Sequence, residues 1–484
     1  MRDFVSFFVN GKQVIVSGAT VFKPLTDYLR EDLRLVATKV VCAEGDCGAC
    51  TIFEGRLDSG HTKLEYKPIN ACIKYVMQMD GSHVVTVEGV SFEEPLNAVQ
   101  KAMVDGHGAQ CGFCTPGFIM AMSGLCEKVK SCNSQQMIDC QSSKEALTGN
   151  LCRCTGYEAI INSACAIDLS QYKSISSLYP DQSIIEILKK ISNEQVEIES
   201  EKYRTFLPTS VEELASIKEQ NKELRIISGG TDLGVVMNKM EWVPEVTAST
   251  VNLKDARSIV EKDQKLIIGP NVTLSQVENY LKDKCPEFSK LFELFGSPQI
   301  RYAGTLVGNI ANASPIADTP PFLFVMDAEL EIASKTKRRM VPITKFYKGY
   351  KDLDLNYDEV IASVHLPLPK VDETIKLYKI SRRIHLDISS FTAAFRLKIN
   401  NDKIEHVAVA LGGVGPVVVR AIEVEKFLNG ASISRETFKK AGEIAAASIK
   451  PISDVRGSND FRLRLSENIF QKLFFDLGKK ELCR

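Results

Sequence analysis

The chain has 484 residues, 44% hydrophobic and 25% charged, and its 60 Lys plus Arg almost cancel 61 Asp plus Glu to a net charge of -1. That length calls for about three domains, and the neutral balance argues against nucleic-acid or membrane-surface partners, since neither polyanion would attract it. No apolar run approaches a membrane span and the N-terminus lacks the basic flank and long apolar core of a signal peptide, so a cytoplasmic protein with reduced thiols is the expectation.

In chain order, "FVSFFV", the turn Asn10-Gly11 and "QVIVSG" predict a hairpin over residues 3–18. Pro24 opens a helix over "PLTDYLREDL", and "CTIFEG" and "HVVTVEGV" read as strands. Strands around one helix predict a β-grasp domain over residues 1–90. Residues 91–170 predict a four-helix domain. Its helices are "EEPLNAVQKAMVD", "GFIMAMSGLCEKV" behind a Thr115-Pro116 start, "SKEALTGN" stopping at Gly149, and "GYEAIINSACAI". Residues 171–200 read as a polar linker holding one short helix, "SIIEILKKI". Residues 201–375 mix strands and helices as an α+β domain, with a glycine- and asparagine-rich loop and a Pro-Pro break near residue 320. Residues 376–484 predict three strands and then helices, a smaller α+β domain. The chain shows no internal repeat.

Twelve of the 14 cysteines lie between Cys42 and Cys165, with only Cys285 and Cys483 outside. A disulfide scaffold would be short, secreted and evenly stapled, so ligation of a metal or cluster is the better reading. Cys42-x4-Cys47-x2-Cys50, with Cys72 farther on, is the plant-type [2Fe–2S] spacing. Gly45 and Gly48 let the backbone pass close to such a cluster and aim N–H groups at its sulfurs. The second set, Cys111 and Cys114 in "QCGFCTPGF" and Cys152 and Cys154 in "NLCRCTGY", precedes two helices. Its spacing alone leaves zinc and a cluster both open. Cys126 and Cys165 read as packed thiols, and Cys132 and Cys140 as exposed loop thiols. A zinc-stabilised interaction protein is the non-enzymatic alternative, and colourless protein with stoichiometric zinc would mark it.

Two further stretches suggest a nucleotide-bearing cofactor. "SGGTDLG" (228–234) sits between a strand and a helix, where Gly229 and Gly230 would let amides approach a pyrophosphate and Thr231 adds a hydroxyl. By itself it reads equally as a plain glycine turn. "FGSPQIRYAGTLVGNIANASPIAD" (295–318) concentrates small polar residues, costly in a core unless a ligand uses them. Among them are Thr305, Gly308, Asn309, Asn312 and Ser314. Asp318 suits a ribose hydroxyl, Lys379 a phosphate or carbonyl, and Phe295 a ring stack or, on sequence alone, an ordinary core place.

"CAEGDCGACT", "QCGFCTPGF", "GNLCRCTGY", "GGTDLG", "QIRYAGTLVGNIANASPIAD" and "ISRRIHLDIS" together resemble the molybdenum hydroxylase family over nearly the whole chain. The resemblance implies a ferredoxin-like domain over 1–90 with one [2Fe–2S] cluster on Cys42, Cys47, Cys50 and Cys72. It implies a helical domain over 91–170 with a second cluster on Cys111, Cys114, Cys152 and Cys154. It implies an FAD-binding domain over 201–375 and a C-terminal flavoprotein domain over 376–484. The FAD contacts it carries over are Ile226, Ile227, Ser228, Gly229, Gly230, Thr231, Asp232, Leu233, Phe295, Thr305, Leu306, Val307, Gly308, Asn309, Asp318, Ile361 and Lys379. It also implies a separate molybdopterin-binding large subunit that performs purine oxidation, two small and two large subunits per assembly, and NAD as the acceptor. No catalytic side chain is expected here, because flavin and clusters carry the redox chemistry. Val307 stands where the family has glycine, a place where a β-branched residue would disfavour positive φ, and "RRIHLD" lacks the acidic cluster that the animal enzymes have near the nicotinamide site.

Overall fold

The computed structural model describes residues 1–58, 60–91, 96–131, 138–180, 182–254 and 256–478. Cys132 and Cys483 therefore lie outside the described residues. The chain divides into two compact units. The first holds residues 1–257, 273–275 and 296–305; the second holds 258–272, 276–295 and 306–484.

The first unit begins with the hairpin β1 (Phe4–Val9) and β2 (Lys12–Ser17), turned at Asn10-Gly11, where both residues take positive φ. A short helix α1 (Leu25–Asp27) continues into a wider turn over Tyr28–Asp32. Strands β3 (Thr51–Leu57), β4 (Leu64–Asn70) and β5 (His83–Val85) complete a five-stranded sheet ordered β2-β1-β5-β3-β4. β1 pairs with β5 in parallel, so the chain must cross over between them, and the cysteine loop lies within that excursion.

Four helices follow: α2 (Ala98–Asp105), α3 (Thr115–Ser131), α4 (Cys140–Leu147) and α5 (Glu158–Cys165). Asn97 caps α2 and Asp139 caps α4, each accepting from a backbone amide three residues on. Their shared core is apolar: Val99, Phe118, Met122, Leu125, Cys126, Leu147 and Ile160.

The segment read as a linker is packed. α6 (Ile175–Leu178) and α7 (Gln182–Ile191) bury Ile175 beside Phe53 and Ile184, Leu188 and Ile191 beside Phe8. Polar composition hid this, because α7 confines its apolar residues to one face. A second sheet then joins β6 (Val196–Glu199), β7 (Arg204–Leu207), β8 (Arg225–Ile227) and β9 (Val246–Ser249) in the order β6-β7-β9-β8. Between them run α8 (Val211–Gln220) and α9 (Leu233–Lys239).

The second unit holds a five-stranded sheet that includes Lys265–Ile268, Glu329–Ala333 and Val360–Pro367, and a four-stranded one built on Glu373–Ile380, Phe391–Asn400 and Lys403–Gly412. Helices Arg435–Ala447 and Asn459–Asp476 cover the latter through Phe438, Phe470 and Leu473. The Pro-Pro break is no break. Pro320 and Pro321 stand in the first turn of helix Thr319–Val325, where the missing N–H groups have no intrahelical acceptor to lose. The expected loop after Thr305 is also helical, over Leu306–Asn312.

Candidate functional site

The structure gathers each predicted thiol set. In the first, Cys42 neighbours Cys47 and Cys72, and Cys50 neighbours Cys72. In the second, Cys111 Sγ lies 3.4 Å from Cys154 Sγ, and Cys152 neighbours Cys114. Among the described residues no three His, Cys, Asp or Glu side chains converge on one ion. Instead each set keeps its own four thiols together, Cys47 beside Cys42, Cys42 beside Cys72 and Cys72 beside Cys50 in the first, Cys111 beside Cys154 and Cys114 beside Cys152 in the second. Four thiols gathered in one place suit a two-iron cluster, which takes four terminal thiolates.

The first loop is built for buried anionic sulfur. Gly45 and Gly48 both have positive φ, +81 and +65. A Cβ on Gly48 would meet the Gly149 carbonyl at 2.3 Å, so only glycine lets the two cysteine loops approach. The Glu44 amide lies 3.5 Å from Cys42 Sγ and Asn70 Nδ2 3.7 Å from Cys50 Sγ. Cys42 is held far below the usual thiol range because Cys47 and Cys72 donate to it, aided by backbone amides. Cys47 is raised in turn by its bond to Cys42. Asn238 donates to the carbonyls of Ala43 and Cys72, and Lys239 to that of Cys42, which fixes the loop against α9. Sequence reading missed this clamp, because Asn238 and Lys239 carry no motif.

The second set lies at the surface. Cys111 and Cys154 are exposed, and Phe113, Leu151 and Tyr157 beside them are apolar and 48%, 50% and 36% exposed. The Phe113 amide and then Cys154 hold the Cys111 thiol below its ordinary value, whereas burial and Cys152 push Cys114 up to about 12. Tyr157, in left-handed conformation at the start of α5, accepts from the Cys152 amide at 3.0 Å.

Hydrogen bonds join the two sets directly. The Leu151 amide donates to the Cys47 carbonyl at 3.0 Å and Asn150 Nδ2 to the Gly48 carbonyl at 3.0 Å. Gln299 Nε2 donates to Asn150 Oδ1 at 2.8 Å and Thr51 Oγ1 to the Gly48 carbonyl at 2.6 Å.

The predicted FAD residues are divided between the units. In the first, Ile226 and Ile227 end β8, Ser228 to Asp232 form the turn, and Leu233 opens α9. Gly230 has φ +76, and Gln78 Nε2 donates to the Ser228 carbonyl. Gly229 serves packing, since a Cβ there would meet the Ala303 carbonyl at 2.2 Å. Ser228 Oγ and Thr305 Oγ1 are 3.2 Å apart. Two adjacent glycines and the Ser228 and Thr231 hydroxyls, between a strand and a helix, are a donor set that suits a pyrophosphate.

In the second unit, Leu306 and Val307 are buried in helix Leu306–Asn312, and Gly308 and Asn309 are half-buried there, with Asn309 Oδ1 accepting from Thr319. The helical backbone at Val307 removes the difficulty of a β-branched residue at positive φ. Asp318 is engaged on both oxygens, by Lys379 Nζ and Ser389 Oγ, each at 2.5 Å, with the Lys379 and Asp318 side chains 2% and 6% exposed. Ile361 is buried in strand Val360–Pro367, and Phe295 is half-buried against Phe292 with ring centroids 5.3 Å apart.

Of the remaining thiols, Cys126 is buried in the helical core, as expected. Cys165 is not packed away: it closes α5 half-buried and faces Cys140, which opens α4 rather than sitting in a loop.

Family models match in succession along the chain: a [2Fe-2S] binding domain at residues 86–165, the FAD binding domain in molybdopterin dehydrogenase at 201–369, and the CO dehydrogenase flavoprotein C-terminal domain at 376–477. A xanthine dehydrogenase of Drosophila pseudoobscura pseudoobscura is 29% identical over 98% of this chain, which spans 39% of that relative's length. The solved carbon monoxide dehydrogenase of Hydrogenophaga pseudoflava shares the fold, with TM-score 0.54 and 23% identity, over 56% of this chain and 95% of that one. Quinoline 2-oxidoreductase from Pseudomonas putida 86 matches at 28% identity and TM-score 0.52, over 56% of this chain and 94% of that one. The fold is thus a mixed α/β arrangement with a [2Fe–2S] domain and an FAD-binding domain. No helix among the described residues is long and apolar enough to cross a membrane. Together these matches make the chain similar to the [2Fe–2S]-binding and FAD-binding parts of molybdopterin-dependent dehydrogenases.

Proposed function

We propose that this chain is the electron-transfer subunit of a xanthine dehydrogenase, taking electrons from a molybdopterin-binding large subunit that oxidises hypoxanthine and xanthine to urate, and passing them to NAD. The observation that carries the reading is the pair of thiol quartets in one unit, joined by the Leu151-to-Cys47 and Asn150-to-Gly48 hydrogen bonds. Cys42, Cys47, Cys50 and Cys72 would hold one [2Fe–2S] cluster, and Cys111, Cys114, Cys152 and Cys154 another. Ile226 to Leu233 and Thr305 of the first unit would bind FAD, and the resemblance also carries FAD contacts over to Phe295, Leu306 to Asn309, Asp318, Ile361 and Lys379. Bound there, the clusters supply one-electron steps and FAD the exchange between single electrons and the hydride that NAD takes.

The chain's own residues bind, orient and shield. Glu44 and Asn70 donate toward the first set's sulfurs, and Asn238 and Lys239 fix its loop. Exposed Phe113, Leu151 and Tyr157 offer an apolar rim on which the large subunit would dock. Asp318 holds the Lys379 ammonium in place through a buried pair. A cytoplasmic heterotetramer of two small and two large subunits belongs to the same reading.

The purified holo-protein should carry about four irons and one FAD per chain. Two irons or fewer in anaerobically prepared protein would refute the two-cluster assignment. A molybdenum-bearing chain that co-purifies and oxidises xanthine would establish the substrate, and NADH-driven dye reduction by the isolated subunit tests the acceptor. A second reading keeps the cofactors but pairs the chain with a hydroxylase of aldehydes or N-heterocycles. The 28% identity to quinoline 2-oxidoreductase, close to the 29% to a xanthine dehydrogenase, favours keeping it. A substrate screen on the co-purified complex separates the two.

A further inference from the structure

Two thiols that neither quartet uses meet in the helical part of the first unit. Cys140 is the first residue of α4 and is exposed; Cys165 is the last of α5 and is half-buried. Their sulfurs lie 2.9 Å apart, with Ser143 Oγ 3.7 Å from Cys165 Sγ. Cys126 and Cys285, by contrast, are buried. The separation is a small side-chain adjustment from the roughly 2.0 Å of a sulfur–sulfur bond.

We propose that Cys140 and Cys165 form a modification site, a dithiol that a low-molecular-weight disulfide converts to an intramolecular disulfide. Cys140 is the sulfur that solvent reaches first. Its thiolate attacks one sulfur of the small disulfide, forms a mixed disulfide and releases one small thiolate. Cys165 then gives up its proton and attacks Cys140 Sγ. The mixed bond breaks, the Cys140–Cys165 bond forms and the second small thiolate leaves. Two protein thiols lose two electrons and two protons, and the small disulfide gains them as two thiols.

Burial, and next the bond to Cys140, hold the Cys165 thiol above its ordinary value, which makes it a poor first attacker. Proximity makes it an adequate second one. The new bond would tie the start of α4 to the end of α5, 25 positions apart, and close a loop around residues 149–157. The proposal is independent of what the quartets bind.

The test treats anaerobic holo-protein with oxidised glutathione, blocks free thiols with an alkylating agent and maps peptides by mass. The expected result is a Cys140–Cys165 cross-link, two fewer alkylated thiols and reversal by dithiothreitol. In Cys165→Ser the expected product is a lasting glutathione adduct on Cys140, because nothing resolves it. In Cys140→Ser neither cross-link nor adduct should form at Cys165. Full alkylation of both thiols in treated wild-type protein, or an equally lasting Cys140 adduct in wild type and Cys165→Ser, would overturn the proposal.

Discussion

The two cysteine quartets share a ligand chemistry and differ in almost everything else. Cys47, Cys50 and Cys72 are 9%, 1% and 2% exposed, and Cys50 and Cys72 belong to the same core as Phe7, Ile69 and Met77. Cys111 and Cys154 are exposed, on short loops ahead of α3 and α5. The comparison teaches that one chain can place two like sets of thiols at different depths, one shaped by the interior and one held at the surface. The interior site is defined by amide donors and glycine contacts, the outer one by an apolar rim.

The sharpest way to break this contrast is to remove one thiol from each set. Cys72→Ser and Cys154→Ser should each lose about two of about four irons. Cluster binding also contributes to folding, so both should be destabilised. Cys72→Ser additionally buries a hydroxyl in an apolar site, which adds about 1–3 kcal/mol. Urea denaturation measures the gap, and equal losses would show that burial does not distinguish the sites.

Acid sharpens the comparison from the other side. His83 lies on β5, in the sheet that frames the inner quartet, and accepts from the Gly11 amide at Nε2 at 3.0 Å. Its Nδ1 then donates to Tyr66 Oη at 2.7 Å. Burial lowers its pKa from 6.5 to about 4. The unfolded chain therefore takes up this proton first. Stability is complete above about pH 6.5 and is lost as pH falls through about 4, by roughly 3 kcal/mol. Denaturation at several pH values should show this slope, and His83→Gln should flatten it.

Much of the outline was legible because it is local. The Asn10-Gly11 turn, the Thr115-Pro116 start of α3 and the cysteine spacings announce themselves within a few residues. What was not legible depends on residues distant in sequence. Asn238 clamps a loop almost 200 residues earlier, and Gln299 reaches Asn150, yet neither amide belongs to a motif. Pro320-Pro321 misled because proline ends helices in their interiors but suits their first turn. The pairing of Cys140 with Cys165 escaped because helix packing, not spacing, brings them together.

A smaller effect is expected at the junction between the sets. Asn150→Ala removes the donor to the Gly48 carbonyl and the acceptor for Gln299, both buried. Gln299 Nε2 keeps only its 3.3 Å bond to Thr51 Oγ1, and the lost buried bond should cost about 1–3 kcal/mol. Iron content should hold while reduction of one set by the other slows, followed by stopped-flow absorbance.

The mildest prediction concerns the outer rim alone. Phe113 follows Cys111 by two residues and is 48% exposed. An aromatic side chain left in water beside Leu151 and Tyr157 gains little in the free chain, so Phe113→Ser should change stability by less than about 0.5 kcal/mol. If the rim is where the large subunit docks, the same change removes a buried contact from the assembled complex and should weaken it about tenfold, or about 1.4 kcal/mol. Sedimentation of the two chains mixed at known concentrations reads that loss. Ile15, 63% exposed on β2 in the same unit, supplies the control, since Ile15→Ser should leave the complex unchanged. Equal weakening by both would mean that exposed apolar area in general, not the surroundings of the second quartet, binds the partner.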